Sequence, residues 1–390
     1  MRSELYLPNS LLLGSGSIQE VGEKATSLQA THVLIVIGSL LTDGPFRTQL
    51  DNSMRKRGLK ATYFTHINEE PTSMHLKMAL AQINECKADC IVAIGGGSVI
   101  DLAKAISVFA MNKDCSLDDI SNMKSINRLP LIVVPTTAGT GSEATKVMVI
   151  TDVVSGEKKN PGHIGLIPDV AILDPQLTVS LPPPITAYTG MDALAHAIEA
   201  YVSTRATTLS DHYALEAIRT IVEALPKAYE NGNDIEAREK MLLASSYAGI
   251  AFSNSSTNLA HAMARPLGAR YHIPHGLCVA LLLPFVIEYG LEGSKDRYAK
   301  IAEVMGCIGG ANKAAMAREL VRVVKDFNTS FHIWEDGLSY FDTVTHFEDV
   351  LPILVNDALS GNGITTNHLI PTEKDVERVY KELWGKLTSL

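Results

Sequence analysis

Between about residue 30 and residue 180, short apolar runs alternate with longer segments of helical periodicity. The apolar runs are "HVLIVIGS", "KATYFTHI", "CIVAIGGGS", "LPLIVVPTT" and "DVAILDP", each of which has the length of a buried strand. Strands that alternate with helices are joined by right-handed crossovers and pair in parallel. This alternation predicts a parallel sheet flanked by helices, and it restricts the possible folds more than any other feature of the chain.

The alternation ends at three consecutive prolines, Pro182 to Pro184, which form a stiff break. Beyond them, long helical patterns dominate and no strand-like alternation is convincing. We therefore predict an α/β domain over residues 1–184 and an all-helical domain over residues 185–390.

Composition and charge exclude several classes of protein. The 390 residues carry a formal net charge of −9 and no basic cluster, which argues against nucleic acid as a partner. No run of eighteen apolar residues and no signal peptide is apparent, so we expect no membrane association. Five cysteines form a sparse, odd-numbered set, which indicates a reducing cytoplasm, and the spacing of Cys86 and Cys90 fits buried thiols better than half of a metal site.

Two glycine-rich loops each follow a predicted strand. The first, "GGGS", precedes a helix, where bare backbone amides and the helix dipole favour a pyrophosphate. The second, "PTTAGTGSEAT", begins at Pro135 and offers several hydroxyl groups. Either loop alone could use glycine for turn geometry only. Two such loops at one edge of a sheet favour a dinucleotide site, whose candidate residues are Gly96, Gly97, Ser98, Thr136, Thr137, Thr140 and Ser142.

Four residues of the second domain have the chemistry of a metal site. Asp192 and His196 are four residues apart in "GMDALAHAIEA" and share one helical face. His261 lies in a helical pattern expected to end near Pro266 and Gly268, and His275 starts another element. One carboxylate and three imidazoles suit Zn²⁺ or Fe²⁺. The alternative is a capping aspartate and hydrogen-bonded core histidines, since twelve histidines make some clustering expected by chance.

Five motifs occur in an order and spacing that resemble one enzyme family. They are "GGGSxxDxAK", "PTTAGTGSE", "PDVAILDPxLT", "GMDALxHAIEAYVS" and "HAMAxPLGxxYxIPHG". The chain thereby resembles the iron-containing, or group III, alcohol dehydrogenases, which include lactaldehyde reductase, 1,3-propanediol dehydrogenase and butanol dehydrogenases. The resemblance implies a Rossmann-like domain followed by a helical domain, as in dehydroquinate synthase, and a homodimer or larger homo-oligomer.

The resemblance also implies an activity and a set of site residues. The implied reaction is hydride transfer between NAD(H) or NADP(H) and a small aldehyde or alcohol, with Fe²⁺ or Zn²⁺ as a Lewis acid. The implied metal ligands are Asp192, His196, His261 and His275. The implied cofactor residues are Gly96, Gly97, Ser98 and Asp101 at the pyrophosphate and ribose, then Thr136, Thr137, Thr140, Ser142 and Lys159, and the backbone of Leu173.

One departure from the family pattern concerns the substrate. Arg265 stands where the family usually has a second histidine, one helical turn after His261. Arginine does not act as a proton shuttle, but its guanidinium binds carboxylate, sulfonate or phosphonate groups well. We therefore hypothesise a small anionic aldehyde such as succinic semialdehyde, sulfoacetaldehyde or phosphonoacetaldehyde, with His272 in a proton relay. The alternative is that Arg265 contacts cofactor phosphates or a neighbouring carboxylate, in a generalist dehydrogenase of neutral short-chain alcohols or diols.

A second departure concerns the cofactor. Gly38 and Ser39 end the first long strand where NAD-preferring relatives commonly carry an aspartate, which would repel a 2′-phosphate. Its absence favours acceptance of NADPH, unless Gly38 is a turn glycine without bearing on cofactor choice. The segment "KKNPGHIGLIP" also departs from the pattern and predicts a distorted strand near Lys159 and His163.

Two other classes remain open at this point. A glycerol dehydrogenase or a dehydroquinate synthase would share the architecture, although "GMDALAHAIEAYVS" favours the alcohol dehydrogenases. A non-catalytic assembly protein is also conceivable, but all four candidate ligands and both glycine loops are intact.

Overall fold

The computed structural model describes residues 3–38, 41–67, 70–307, 312–341 and 347–390. The backbone divides into two compact units. One comprises Tyr6–Ser180, and the other comprises Leu181–Leu390 together with the described residues that precede Tyr6. The division falls immediately before the run of prolines that begins at Pro182.

The described residues of the first unit form eight strands. They are β1 (Ser10–Leu13), β2 (His32–Ile37), β3 (Lys60–Phe64), β4 (Cys90–Gly95), β5 (Leu131–Pro135), β6 (Ile150–Thr151), β7 (Lys158–Lys159) and β8 (Val170–Leu173). Six of them form one parallel sheet in the order β1-β8-β5-β4-β2-β3, and β6 and β7 form a small antiparallel pair. The predicted parallel sheet is confirmed. Strand β1, which pairs with β8 at one edge, is four residues long and was not expected from the sequence.

Helices cover both faces of this sheet. They are α1 (Val21–Ser27), α2 (Pro45–Lys56), α3 (Ser73–Cys86) and α4 (Gly97–Phe109). Along β2, Leu34 faces the core that includes Ile83 of α3, whereas Val33 and Ile35 face the core that includes Leu50 of α2. A strand buried on both faces needs apolar residues at every position, which explains the unbroken apolar runs in the sequence.

The described residues of the second unit form helices joined by loops. Its helices are α5 (Pro183–Val202), α6 (Thr208–Glu230), α7 (Ile235–Ser253), α8 (Leu259–Tyr271), α9 (His275–Val304), α10 (Lys313–Ser330), α11 (Ile333–Phe341), α12 (Phe347–Leu359) and α13 (Glu373–Thr388). Helix α5 is buried along almost its whole length and packs against α6, α7 and α9. It therefore forms the centre of this unit.

Two helices depart from expectation. The predicted end of α8 near Pro266 and Gly268 is wrong, because the helix continues to Tyr271 and ends at His272, whose φ is 55°. Pro266 removes one backbone donor, but Pro266 and Leu267 are buried, and this packing keeps the chain helical beyond the proline. Helix α9 is long and apolar enough to cross a membrane, yet 72% of its most apolar window is buried, as in the core helix of a soluble protein.

Candidate active site

The two glycine loops of the first unit lie side by side. Gly95 at the end of β4 pairs with Pro135 at the end of β5, and the Thr136 amide donates to the Gly95 carbonyl at 3.0 Å. A Cβ on Gly97 would lie 2.8 Å from Cγ2 of Thr140, so only glycine fits at the start of α4. The bare amides at the N-terminus of α4 therefore face a loop of threonines, an arrangement suited to a phosphate group.

Lys104, a buried residue of α4 that was not among the predicted site residues, holds the second glycine-rich loop against that helix. The ammonium group of Lys104 donates to the Ser142 hydroxyl at 3.2 Å, to the Thr145 hydroxyl at 2.9 Å and to the Val147 carbonyl at 2.7 Å. Ser142 also donates to Asp101, whose other oxygen accepts from the Val149 amide at 2.9 Å. Burial lowers the pKa of Lys104 to about 8 and raises the pKa of Asp101. Asp101 and Ser142 thus bond to each other and shape the loop.

The other predicted cofactor residues are Gly38, Ser39, Lys159 and Leu173. Gly38 follows β2, its φ lies outside the left-handed region, and a Cβ there would meet Val99 at an ordinary 3.8 Å. Ser39 lies outside the described residues. Lys159, in β7, forms ion pairs with Glu157 at 2.8 Å and Asp118 at 3.2 Å. The Leu173 carbonyl, at the end of β8, accepts from the Gly14 amide at 3.1 Å.

The region around Lys159 contains the expected irregular segment, in which β7 is only two residues long. His163 makes local bonds there: Nδ1 accepts from the Gly165 amide at 2.9 Å, and Nε2 lies 3.0 Å from the Met123 carbonyl. Since Nδ1 accepts, the proton is on Nε2, which donates to Met123. The ring therefore serves the local fold.

The four candidate metal ligands of the second unit lie together. Asp192 Oδ1 is 3.3 Å from His261 Nε2 and 3.9 Å from His275 Nε2, and Asp192 Oδ2 is 3.9 Å from His196 Nδ1. Ligand atoms of Asp192, His261 and His275 all lie within 4.8 Å of one another. The rings of His196 and His261 stack at 4.2 Å, and Phe252 stacks on the other face of His196 at 4.3 Å. Three helices, α5, α8 and α9, supply these side chains.

Asp192 and His261 each place a buried polar atom in this cluster, where it requires a partner. Asp192 Oδ1 and His261 Nε2 are buried and have no hydrogen-bond partner in the part of the chain that the structure describes. Burial alone would raise the pKa of Asp192, but His196, His261 and His275 outweigh it and hold the pKa well below its usual range. A cation at this position would satisfy both atoms, so the residues fit a divalent metal ion.

A carboxylate overlooked in the sequence analysis supports His261. Glu199 Oε2 is 2.6 Å from His261 Nδ1 and accepts from the Asn258 amide at 2.8 Å, while Oε1 accepts from the Ala260 amide at 2.6 Å. Burial alone would lower the pKa of His261, but Glu199 and Asp192 raise it to about 9. The sequence carries a signal for this residue, because Asp192, His196 and Glu199 follow the i, i+4, i+7 spacing of one helical face.

A close approach between helices brings His275 to the cluster. A Cβ on Gly276 would overlap the Tyr188 carbonyl oxygen and lie 3.4 Å from Cβ of Asp192. Glycine therefore allows the first turn of α9 to rest on the backbone of α5. Since His275 immediately precedes Gly276, this contact sets the position of its imidazole beside Asp192.

The remaining predicted residues lie on or after α8. Arg265 is one turn beyond His261 and is mostly buried; burial lowers its pKa, whereas the charge of Glu199 raises it. Its guanidinium therefore lies in the field of a carboxylate of the same site. His272 is exposed at the end of α8, and Arg270 is exposed on the last turn of that helix.

Comparison with known proteins identifies the family. The model of the iron-containing alcohol dehydrogenases matches residues 8–175, and that of the Fe-containing alcohol dehydrogenase family, C-terminal, matches residues 186–384. The probable alcohol dehydrogenase EutG of Escherichia coli (strain K12) is 43% identical over 300 residues, which cover 77% of this chain and 76% of that protein.

Solved structures agree in fold over almost the whole chain. The crystal structure of a 1,3-propanediol oxidoreductase superposes with a TM-score of 0.92 at 30% identity, covering 98% of this chain and 100% of that one. A sulfoacetaldehyde reductase from Bifidobacterium kashiwanohense, in complex with NAD+, superposes with a TM-score of 0.87 at 30% identity, covering 98% and 99%. The chain therefore belongs to the iron-containing alcohol dehydrogenase family and is an oxidoreductase that acts on alcohols.

Proposed function

We propose that this protein catalyses hydride transfer between a nicotinamide cofactor and a small aldehyde, with a divalent metal held by Asp192, His196, His261 and His275. The observation that carries the proposal is the convergence of Asp192, His261 and His275, whose ligand atoms lie within 4.8 Å of one another, with the ring of His196 stacked on that of His261. Two buried atoms of that group, Asp192 Oδ1 and His261 Nε2, lack a hydrogen-bond partner among the described residues. Fe²⁺ and Zn²⁺ both suit this ligand set.

The roles of the chain's own residues follow from this geometry. When bound, the metal would supply Lewis-acid polarisation of the substrate oxygen, and the nicotinamide would supply the hydride. Asp192 and the three histidines would hold the ion, and the carboxylate of Asp192 would offset part of its positive charge. The amides at the start of α4, with Thr137 and Thr140 opposite, bind the dinucleotide phosphates. The bonds among Asp101, Lys104 and Ser142 hold the second glycine-rich loop against α4.

The first unit is accordingly the dinucleotide-binding domain, and the helical unit is the metal-binding and substrate domain. We further propose that the enzyme is cytoplasmic and homo-oligomeric and that it accepts NADPH. The free state of all five cysteines and the lack of an acidic side chain at Gly38 support the location and the cofactor, respectively.

Metal removal tests the core of the proposal. Chelated protein should lose propanal reduction with NADPH or NADH and regain it with Fe²⁺ or Zn²⁺. Asp192→Asn should remain inactive after the same reconstitution, because it removes the carboxylate charge of the ligand set. Full activity in metal-free protein would contradict the proposal, and freshly purified protein that neither binds metal nor reduces any aldehyde would favour a non-catalytic assembly role.

The finer part of the proposal is that Arg265 binds the anionic group of a charged aldehyde. A mostly buried guanidinium one turn from His261 is a strong site for a carboxylate or sulfonate. The structural similarity to a protein named sulfoacetaldehyde reductase supports a sulfonated substrate in this fold. The alternative is that Arg265 only neutralises Glu199, which would leave a generalist dehydrogenase of neutral short-chain alcohols or diols.

A substrate comparison separates these alternatives. The wild-type enzyme should reduce succinic semialdehyde or sulfoacetaldehyde at least about tenfold more efficiently than propanal, a difference of about 1.4 kcal/mol in transition-state binding. Arg265→His should abolish that preference, whereas Arg270→His, at an exposed position of the same helix, should retain it. A preference for propanal in the wild type, or an unchanged preference in Arg265→His, would refute this role.

A further inference from the structure

Glu199 bonds to three groups of the segment that carries His261. The residue is 2% exposed, its two oxygens accept from the backbone amides of Asn258 and Ala260, and Oε2 also lies against His261 Nδ1. Each of these partners is about sixty residues away in sequence, at separations of 59, 61 and 62. A single side chain of α5 therefore fixes the first turn of α8.

These bonds replace an ordinary helix cap. Asn258 is the N-cap residue of α8, but its side chain makes no capping bond. The first backbone amides of a helix need acceptors, and Glu199 supplies them at two positions. A carboxylate is also favoured there by the positive end of the helix dipole. Glu199 thus fixes the start of α8, and with it the backbone of His261, relative to α5, the helix that carries Asp192 and His196.

The same carboxylate determines how His261 presents its ring. An ionised carboxylate oxygen only accepts, so the hydrogen of the 2.6 Å bond belongs to His261 Nδ1. Nε2, at the opposite side of the ring, is then directed toward Asp192 Oδ1 at 3.3 Å, where it would ligate a metal ion that displaces its proton. Glu199 also adds a second negative charge on the side of the His261 ring opposite Asp192, so that the two carboxylates together match the two positive charges of a divalent ion.

We propose that Glu199 is a positioning residue that tunes metal affinity, by holding His261 in the ligating orientation and balancing the charge of the ion. This role rests on the proposed metal site. Outer carboxylates that bond a ligating imidazole typically change metal affinity by about 10- to 100-fold when they are replaced. Glu199→Gln offers one acceptor oxygen in place of two and no charge, so it should weaken metal binding within that range.

The experiment measures metal affinity independently of catalysis. Affinities for Co²⁺ and Zn²⁺ would be determined by competition with a chromophoric chelator for the wild type, Glu199→Gln and Asp234→Asn. Asp234 is the matched control, because it caps α7 through the Ala237 amide at 3.0 Å and takes no part in the cluster. The visible spectrum of the Co²⁺ protein reports the geometry of its ligands. The thermal midpoint of the metal-free protein reports the loss of a helix cap.

The role predicts that Glu199→Gln binds Co²⁺ and Zn²⁺ about 10- to 100-fold more weakly with an altered Co²⁺ spectrum. Asp234→Asn, whose amide oxygen still accepts from the Ala237 amide, should keep the wild-type affinity and spectrum. Equal affinity and spectrum in wild type and Glu199→Gln, with a lower midpoint in the variant, would reduce Glu199 to a helix cap and overturn the inference. A wild-type protein that binds neither ion would instead overturn the proposed function. If Glu199→Gln does not fold, Glu199→Asp keeps the charge but withdraws the oxygens from His261, and unchanged affinity in that variant would also overturn the inference.

Discussion

Replacing Gly276 with alanine tests whether the contact between α5 and α9 sets the geometry of the site. The added methyl group would overlap the Tyr188 carbonyl oxygen and lie 2.9 Å from its carbonyl carbon, where ordinary contact begins at 3.4 Å. The opposing atoms belong to the backbone of a buried helix and have little freedom to move aside. The first turn of α9 must therefore shift away from α5 by at least about 0.5 Å, because the 2.4 Å separation from the carbonyl oxygen has to open to 3.0 Å or more.

The shift has two separable consequences. Overpacking of this kind costs about 1–3 kcal/mol of folding free energy. His275 moves with Gly276, and a displacement of about 0.5 Å exceeds the tolerance of about 0.2 Å for metal–ligand distances. Because a misplacement of about 1 Å can cost a hundredfold in rate, we expect kcat/KM to fall roughly tenfold.

Urea denaturation of the metal-free protein and steady-state aldehyde reduction measure the two effects. Gly385→Ala in α13 is the matched control, because no described atom would lie within 4 Å of the new Cβ. That variant should retain full activity and gain up to about 1 kcal/mol from the helix propensity of alanine. Wild-type stability and activity in Gly276→Ala would refute the argument that this close approach positions His275.

Three further predictions address the cofactor loops and the metal. Gly38→Asp fits sterically beside Val99, so its charge should shift the preference from NADPH toward NADH by about tenfold, measured as the ratio of kcat/KM values; an unchanged ratio would make Gly38 irrelevant to cofactor choice. Burial lowers the pKa of Lys104 from 10.5 to about 8, so the unfolded chain holds more protons between those values and stability should rise with pH in that window. Between pH 8 and pH 10, urea denaturation should show that the free energy of unfolding rises by about 2 kcal/mol more for the wild type than for Lys104→Met. A difference between the two proteins that stays constant with pH would contradict this assignment. Chelation should lower the thermal midpoint by several degrees, since a metal at a hundred times its Kd contributes about 2.7 kcal/mol, and His261→Ala should show no such change.

The periodicity of the sequence was sufficient for the class of the fold but not for its arrangement. Strands β2, β4, β5 and β8 were predictable, because burial on both faces imposes continuous apolar runs. Strand β3, an edge strand whose first residues are exposed, was predictable from the alternation of strand-like runs with helical patterns. Their order in the sheet and the pairing of β1 with β8 depend on contacts between distant segments. The end of α8 was misplaced for the same reason, because local proline and glycine signals were outweighed by the burial of Leu267.

The same distinction applies to the candidate site, in which local patterns predicted some residues and contacts between distant segments decided others. Residue type and spacing alone made Asp192, His196 and both glycine loops candidates, because each is a local pattern with a direct chemical meaning. Only the folded chain placed Glu199 against His261 and enclosed Lys104 among the oxygens of a loop about forty residues away. The sequence does not indicate which partner a charged residue will contact in the folded chain. The chemistry of this protein was therefore determined locally, whereas the side chains that orient that chemistry were decided by tertiary packing.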